Sequence, residues 1–257
     1  MKQLSILSVL SLSLATFSTA NAEQAYCESS WLVEGKKLQV TVPTQGVDVV
    51  LTIAGVQKSD AMNCSATLQV SGQAPITQLG LVVAAQGNLQ LKVQANHSSL
   101  SGTIVSPGPG GMWMQNKVNL SLNGYFLKPA NQVEVGKTIP ARQISGHSQG
   151  DLFLAQGLPK VGSASVDNLK VQLKSAQVGD LQTIPTSQGA LQCHAVNYQA
   201  NVSSGSMSNT IDKRNKQLAN SKWVDLTDWY CPNLGITLKT VINEGKNHYA
   251  VNIKLLN

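Results

Sequence analysis

Apolar and polar residues alternate with a period of two along most of this chain. Leu38, Val40 and Val42 alternate with Lys37, Gln39 and Thr41. The pattern returns at Leu89, Leu91, Val93 and Ala95, at Val118, Leu120 and Leu122, and at Leu169, Val171 and Leu173. It closes the sequence from Tyr249 through Val251 and Ile253 to Leu255. Successive side chains of a strand point to opposite faces, so each run presents one apolar and one polar face, as antiparallel sheets require. Turn signals rich in Gly, Pro, Asn and Ser separate the runs, as in residues 106–111. Helical patterning is weak: Asp212 to Ala219 reads as two turns, and Gln78 to Ala85 as a poorer candidate. The expected fold is all-β, with antiparallel curved sheets forming a half-barrel or a sandwich.

The first residues break this pattern. Lys2 provides a positive start, Leu4 to Phe17 an apolar stretch, and Ala20-Asn21-Ala22 a small-residue cleavage site. Met1 to Ala22 therefore reads as a secretory signal peptide, too short and too rich in serine to remain as a spanning helix. The exported chain is expected to start near Glu23, to reside in the periplasm and not to span the membrane. Cys27, Cys64, Cys193 and Cys231 all follow the leader, and an even count in an exported chain implies disulfides. Three connectivities exist. Two near-equal separations flanking a long cysteine-free stretch favour Cys27 with Cys64 and Cys193 with Cys231. The segment Leu127-Lys128-Pro129-Ala130-Asn131 reads as a boundary between two disulfide-stabilised β units, 23–128 and 129–257, packed into one body.

Charged residues make up 12% of the sequence, against about 25% in an average domain, and neutral polar residues replace them. The formal net charge of +6 is scattered, apart from the run Lys213-Arg214-Asn215-Lys216. A nucleic-acid binder would cluster its cations and interleave aromatics, which are only 5% here. Anionic lipid or polysaccharide suits this charge better. His97, His147, His194 and His248 stand far apart and no Cys-x-x-Cys occurs, so no metal and no cofactor are expected.

Gly146-His147-Ser148-Gln149-Gly150 matches the nucleophile elbow of serine hydrolases. The residues before it are not an apolar strand, and Gly157 and Pro159 follow too soon for a helix, so the segment reads as a polar surface loop. Asp225 and Asp228, flanked by Trp223 and Trp229, suggest a sugar site on one reading and an aspartate-rich turn before a strand on the other. In the stretch Trp229 to Lys239, Pro232 is suited to start a turn and Gly235 to finish it with a positive φ.

Three segments carry a resemblance: Val135-Gly136-Lys137-Thr138-Ile139-Pro140, the run Gly189 to Val196 around Cys193, and the corner Trp229 to Lys239. In this order they resemble a bacterial domain-of-unknown-function family of exported, periplasmic β-rich proteins with a Trp-Tyr-x-Pro-x-x-Gly corner near the C-terminus. The chain departs from that pattern in its cysteines and at Ser187-Gln188-Gly189. The resemblance implies a curved sheet or half-barrel similar to periplasmic carriers of lipids and lipoproteins, and transfers no catalytic residue. The expected function is therefore binding without catalysis, with a lipid or an envelope protein as partner. Leu89, Leu91, Val93, Leu169, Val171 and Leu173 are the expected lining. The alternative is an accessory protein of envelope or appendage assembly, using a sheet edge or exposed aromatics at Trp113 and Trp229. A serine hydrolase at Ser148 comes third.

Overall fold

Backbone pairing turns the alternating runs into strands nearly throughout. The computed structural model describes residues 25–76, 81–107, 111–210, 214–217, 222–245 and 247–256. The leader Met1 to Ala22 lies outside the described residues. The N-terminal strands are β1 (Lys37–Val42), β2 (Val47–Lys58), β3 (Asn63–Ile76), β4 (Leu81–Gln94), β5 (His97–Pro107) and β6 (Trp113–Asn123). After β7 (Thr138–Ile139) come β8 (Arg142–Phe153), β9 (Lys160–Leu173), β10 (Ala176–Thr186) and β11 (Gly189–Asn209). The last are β12 (Arg214–Gln217), β13 (Val224–Cys231), β14 (Ile236–Glu244) and β15 (Asn247–Leu256).

Neither expected helix forms in the described residues. Arg214–Gln217 is a strand paired with Ser206–Asn209, and β4 takes up the chain from Leu81. In both places an available strand edge outweighs a weak helical preference, which is the usual result when tertiary pairing competes with propensity.

The sheet also closes, where a half-barrel or sandwich was expected. Antiparallel pairs run from β1 to β6, on to β8, β9 and β11, and in the other direction from β1 through β15 and β14 to β13. Pairing of β13 with β11 completes a ring of twelve strands. The physical reason is the length of β11, which has 21 residues. Its second half pairs with β9 from Ala200 to Asn209, while His194–Ala200 pairs with β13 on the opposite edge. Both halves of the sequence enter this ring, meeting at β6–β8 and at β1–β15.

A twelve-strand ring is wider than the eight-strand barrels whose side chains fill their own interior, so one end needs other material. Three segments supply it. Residues 25–36 lie across the end with Tyr26, Trp31 and Leu32 fully buried. The indole N–H of Trp31 donates to Gly235 O at 3.2 Å, and Cys27 is disulfide-bonded to Cys64 at the start of β3. Residues 125–131 form the second piece: Tyr125 stacks on Tyr26 at 5.0 Å, and the Thr237 N–H donates to Leu127 O at 2.8 Å. The stretch whose composition marks a boundary is thus drawn into the plug: Leu127, Ala130 and Asn131 are half-buried, Pro129 is buried, and Lys128 is 2% exposed with its ammonium 5.7 Å from the Tyr230 ring centre.

The third piece is the β10–β11 hairpin. Pairing of β15 with β14 stops at Asn252, and the hairpin tip occupies the edge beyond it. There Ser187 Oγ donates to Ile253 O at 2.8 Å and the Gln188 side-chain amide donates to Leu255 O.

Both disulfides join the cysteines that their spacing pairs, at separations of 37 and 38 residues. Replacing Cys27 and Cys64 with serine frees a 37-residue loop in the unfolded chain and is expected to lower stability by about 4 kcal/mol in the chain-entropy model. Urea unfolding of the double variant against the oxidised parent checks this.

Candidate functional site

Register fixes which side chains share a face. Leu91, Leu100, Leu120, Gly146 and Leu169 stand opposite one another across β4, β5, β6, β8 and β9. The next row is Val93, Ser98, Leu122, Ile144 and Val171. Between these two rows runs a third, Lys92, Ser99, Ser121, Ser145 and Lys170. Leu91 and Val93 are buried in the main core beside Tyr26 and Trp31, so the apolar rows face the lumen and the polar row faces solvent. A membrane-spanning barrel has the reverse arrangement, apolar outside and polar within. No helix among the described residues is long and apolar enough to cross a membrane.

All six residues expected to line a ligand site fall on this inner face. Leu89, Leu91 and Val93 are packed into the plugged end, with 8%, 2% and 1% exposure, and Leu173 is buried nearby. Leu169 and Val171 are half-buried on the facing wall, as are Val118, Leu120, Leu152 and Val166. Apolar side chains that point inward yet stay half-exposed mark lumen space that the plug does not fill.

The alternation singled out the lining but not the polar cluster set into it. Tyr198 OH donates to Asp228 Oδ2 at 2.8 Å, and Thr240 Oγ1 donates to Asp228 Oδ1 at 2.6 Å. The Arg142 guanidinium lies 5.5 Å from the Tyr198 ring centre and donates from Nη1 to Pro129 O at 3.2 Å. Burial holds the Asp228 carboxyl above the ordinary carboxylate range, although both hydroxyls and Arg142 pull the other way. Burial, then the charge of Asp228, raises the Tyr198 phenol as well.

Asp225 and Asp228 do not form a pair, nor do they sit in a turn. Both are in β13, and three residues along a strand put them on opposite faces. Asp225 points outward and accepts from Gln199 Nε2 at 2.8 Å. The only sequence signal for the cluster was an aspartate at an inward position of an alternating run.

The hydrolase-like segment is likewise no loop. Gly146 to Gly150 lies in the middle of β8, with Ser148 opposite Val118 and Val166. A nucleophile elbow needs a sharp turn, and this segment is extended. Close strand approach accounts for the first glycine: a Cβ on Gly146 would meet Asn119 O at 2.1 Å. Ser145, His147 and Asp167 border an open outer groove of about 530 Å³, of mixed polar and apolar lining. Among the described residues no group of three His, Cys, Asp or Glu is placed to hold a metal ion. Trp113 and Trp229 are half-buried, and Trp229 packs against the core.

The three segments that carry the family resemblance meet in space. Ile139, Val196 and Tyr230 come from the first, second and third segment, and they share one buried cluster with Ala176 and Val178. The corner turns as its residues require, with Gly235 at φ +65° and its N–H on Cys231 O at 3.0 Å.

Fold and lumen together define a closed barrel, polar outside and apolar inside, plugged at one end. No family model and no curated protein matches the chain. Two solved structures are similar to it. One, from Bacteroides fragilis, is described as an exported protein with a YmcC-like fold; it is 13% identical, with 86% of this chain and 96% of that one covered and a TM-score of 0.40. The other, described as a lipoprotein, is from Parabacteroides distasonis; it is 12% identical, with 87% and 94% covered and a TM-score of 0.39.

A carboxyl whose folded pKa is raised binds its proton more tightly folded than unfolded. Its contribution to stability is therefore lost as pH rises from the unfolded value of 3.8 through the higher folded one. Asp228→Asn removes that loss while keeping the size of the side chain. Thermal unfolding from pH 4 to 8 is expected to show the melting temperature of the variant gaining on the parent as pH rises; parallel curves would count against a raised carboxyl.

Proposed function

We propose that this chain is a non-enzymatic periplasmic carrier that holds an apolar molecule, a lipid or a lipid-modified segment, in its barrel lumen. One observation supports the reading above the others: the inner rows are apolar and half-exposed on the β6–β8–β9 wall, while the outer rows are polar. Pockets that take apolar ligands are concave, mostly apolar and supplied with a few polar groups, and the cluster of Asp228, Tyr198 and Thr240 is such a group. Two disulfides suit an oxidising compartment such as the periplasm.

Assembly through a sheet edge is the second reading, and β10 is the observation behind it. Only Ala176 and Gln177 of β10 pair with β7, and Leu181 beyond them is 48% exposed. Its register shift after Val178 and its Pro185 are devices that blunt an edge against further pairing, which weighs against this use.

A fluorescent fatty acid titrated into the protein tests the carrier reading. Binding is expected, and Val171→Gln is expected to weaken it about tenfold, as the loss of roughly 1.4 kcal/mol of apolar contact implies. Lys170→Gln, one residue along on the outer face, is expected to leave it unchanged. A parent protein that takes up no apolar probe would remove the reading and turn attention to the β10 edge.

A further inference from the structure

Large apolar side chains reach water at several separate places, Val33, Val135, Leu181 and Trp223 among them, but one short connection gathers three. Between β8 and β9, at the end of these strands away from the plug, Leu154 is 59% exposed, Leu158 48%, and Val161, just inside β9, 49%. The turn is built to hold this display. Leu158 N–H donates to Ala155 O at 3.2 Å across Gln156 and Gly157, and Gly157 takes φ +83°, the third-position geometry of a type II turn. Pro159 follows. A hydrogen-bonded turn with glycine and proline has little freedom left to lose when it docks.

The surroundings indicate what the turn meets. At its base Trp113 stands opposite Phe153, both half-buried, an aromatic pair on the outer face at the end of β6 and β8. Met207, 36% exposed, pairs with Val166 farther along the rim. Lys160 begins β9, its ammonium 3.3 Å from Asp151 Oδ1, and β12 adds two basic positions, Arg214 and Lys216, in register with Asn209 and Met207. Three aliphatic side chains on one narrow turn offer far less than the roughly 800 Å² per partner of a stable protein interface. A few apolar residues beside the half-exposed Lys160 ammonium, on a chain of formal net charge +6 and with aromatics at the level of the headgroups, are enough for an anionic bilayer surface.

We propose that the β8–β9 turn seats the open rim on an anionic lipid bilayer, with Leu154, Leu158 and Val161 entering the interfacial layer and the lumen mouth facing the lipid. The proposal deepens the carrier reading and rests on it for its purpose, though not for its geometry. Flotation of the purified protein with vesicles of phosphatidylethanolamine and phosphatidylglycerol, and separately with phosphatidylcholine alone, tests it.

The parent is expected to float with the anionic vesicles, less so at high salt. Leu154→Asp combined with Leu158→Asp is expected to cut that binding at least tenfold. Val135→Asp, an exposed apolar position away from the turn, is expected to keep it. Fatty-acid binding by the Leu154→Asp, Leu158→Asp protein is expected to match the parent, which also shows that it folds.

A parent that stays with neither vesicle, or a double variant that floats as well as the parent, overturns the proposal. So does a parent that is dimeric in solution and becomes monomeric in the double variant, since the turn would then be a contact between copies. Flotation without fatty-acid uptake would keep the docking surface and discard the carrier; uptake without flotation would do the reverse.

Discussion

Strand β11 has two neighbours on each edge, and the barrel exists because of it. On one side it pairs first with β10 and then with β9; on the other, first with β13 and then with β12. The step from β10 to β9 lets the strand leave the plug and enter the wall without ending. At the corner where β13 joins, Cys193 and Cys231 are bonded across adjacent strands. Without that junction β9 and β13 would be free edges and the apolar inner rows would face water. A closed ring is the arrangement that removes edges altogether. The hairpin that plugs the floor is also the beginning of β11, so closure and plugging are two consequences of one strand.

The floor depends on groups that would be awkward elsewhere. Tyr26 meets Trp31 edge-on, with 5.7 Å between ring centres, and stacks on Tyr125, so three aromatics from two segments fill the space beneath the ring. Lys128 passes through this region with its stem buried and its ammonium near Tyr230. A lysine can cover apolar surface with its methylenes while its charge finds an aromatic face. The floor is thereby tied to the same corner, Tyr230 and Cys231, that closes the wall.

Local features of this fold were legible in the sequence, and long-range ones were not. Alternation located the strands at Leu38, Leu89, Val118, Leu169 and Val251, and cysteine spacing indicated the two bridges. Pro232 and Gly235 marked a turn because turn chemistry is local. Closure could not be read, since nothing in His194 to Ala200 says that it will meet Val224 to Tyr230 rather than solvent. The plug was invisible for a related reason: Tyr26 and Trp31 lie in a short irregular segment with no period. Leu127 to Asn131 carries the composition of a linker and is drawn into the plug by its contacts. The glycines around Ser148 match a catalytic pattern, whereas one of them is required by a neighbouring carbonyl. For the lumen, alternation told which residues share a face, but not which of them the plug would cover.

The constraints are unevenly placed around the ring. Both disulfides lie at the plugged end, as do the three crossing segments and most fully buried side chains. The wall made by β8, β9 and the second half of β11, Ala200 to Asn209, has none of these among the described residues and is interrupted instead. Its ladders shift register between Gly146 and Ser148, between Leu152 and Phe153, and twice between Val202 and Ser206. Bulges of this kind bend a strand and break its pairing locally, and segments with few buried contacts open at lower free energy than the rest of a fold. The half-exposed apolar residues Leu169, Val171 and Val166 stand on this same wall. The wall with these shifts is thus the one that leaves apolar lumen surface uncovered, and its β8–β9 turn forms part of the rim at the end away from the plug.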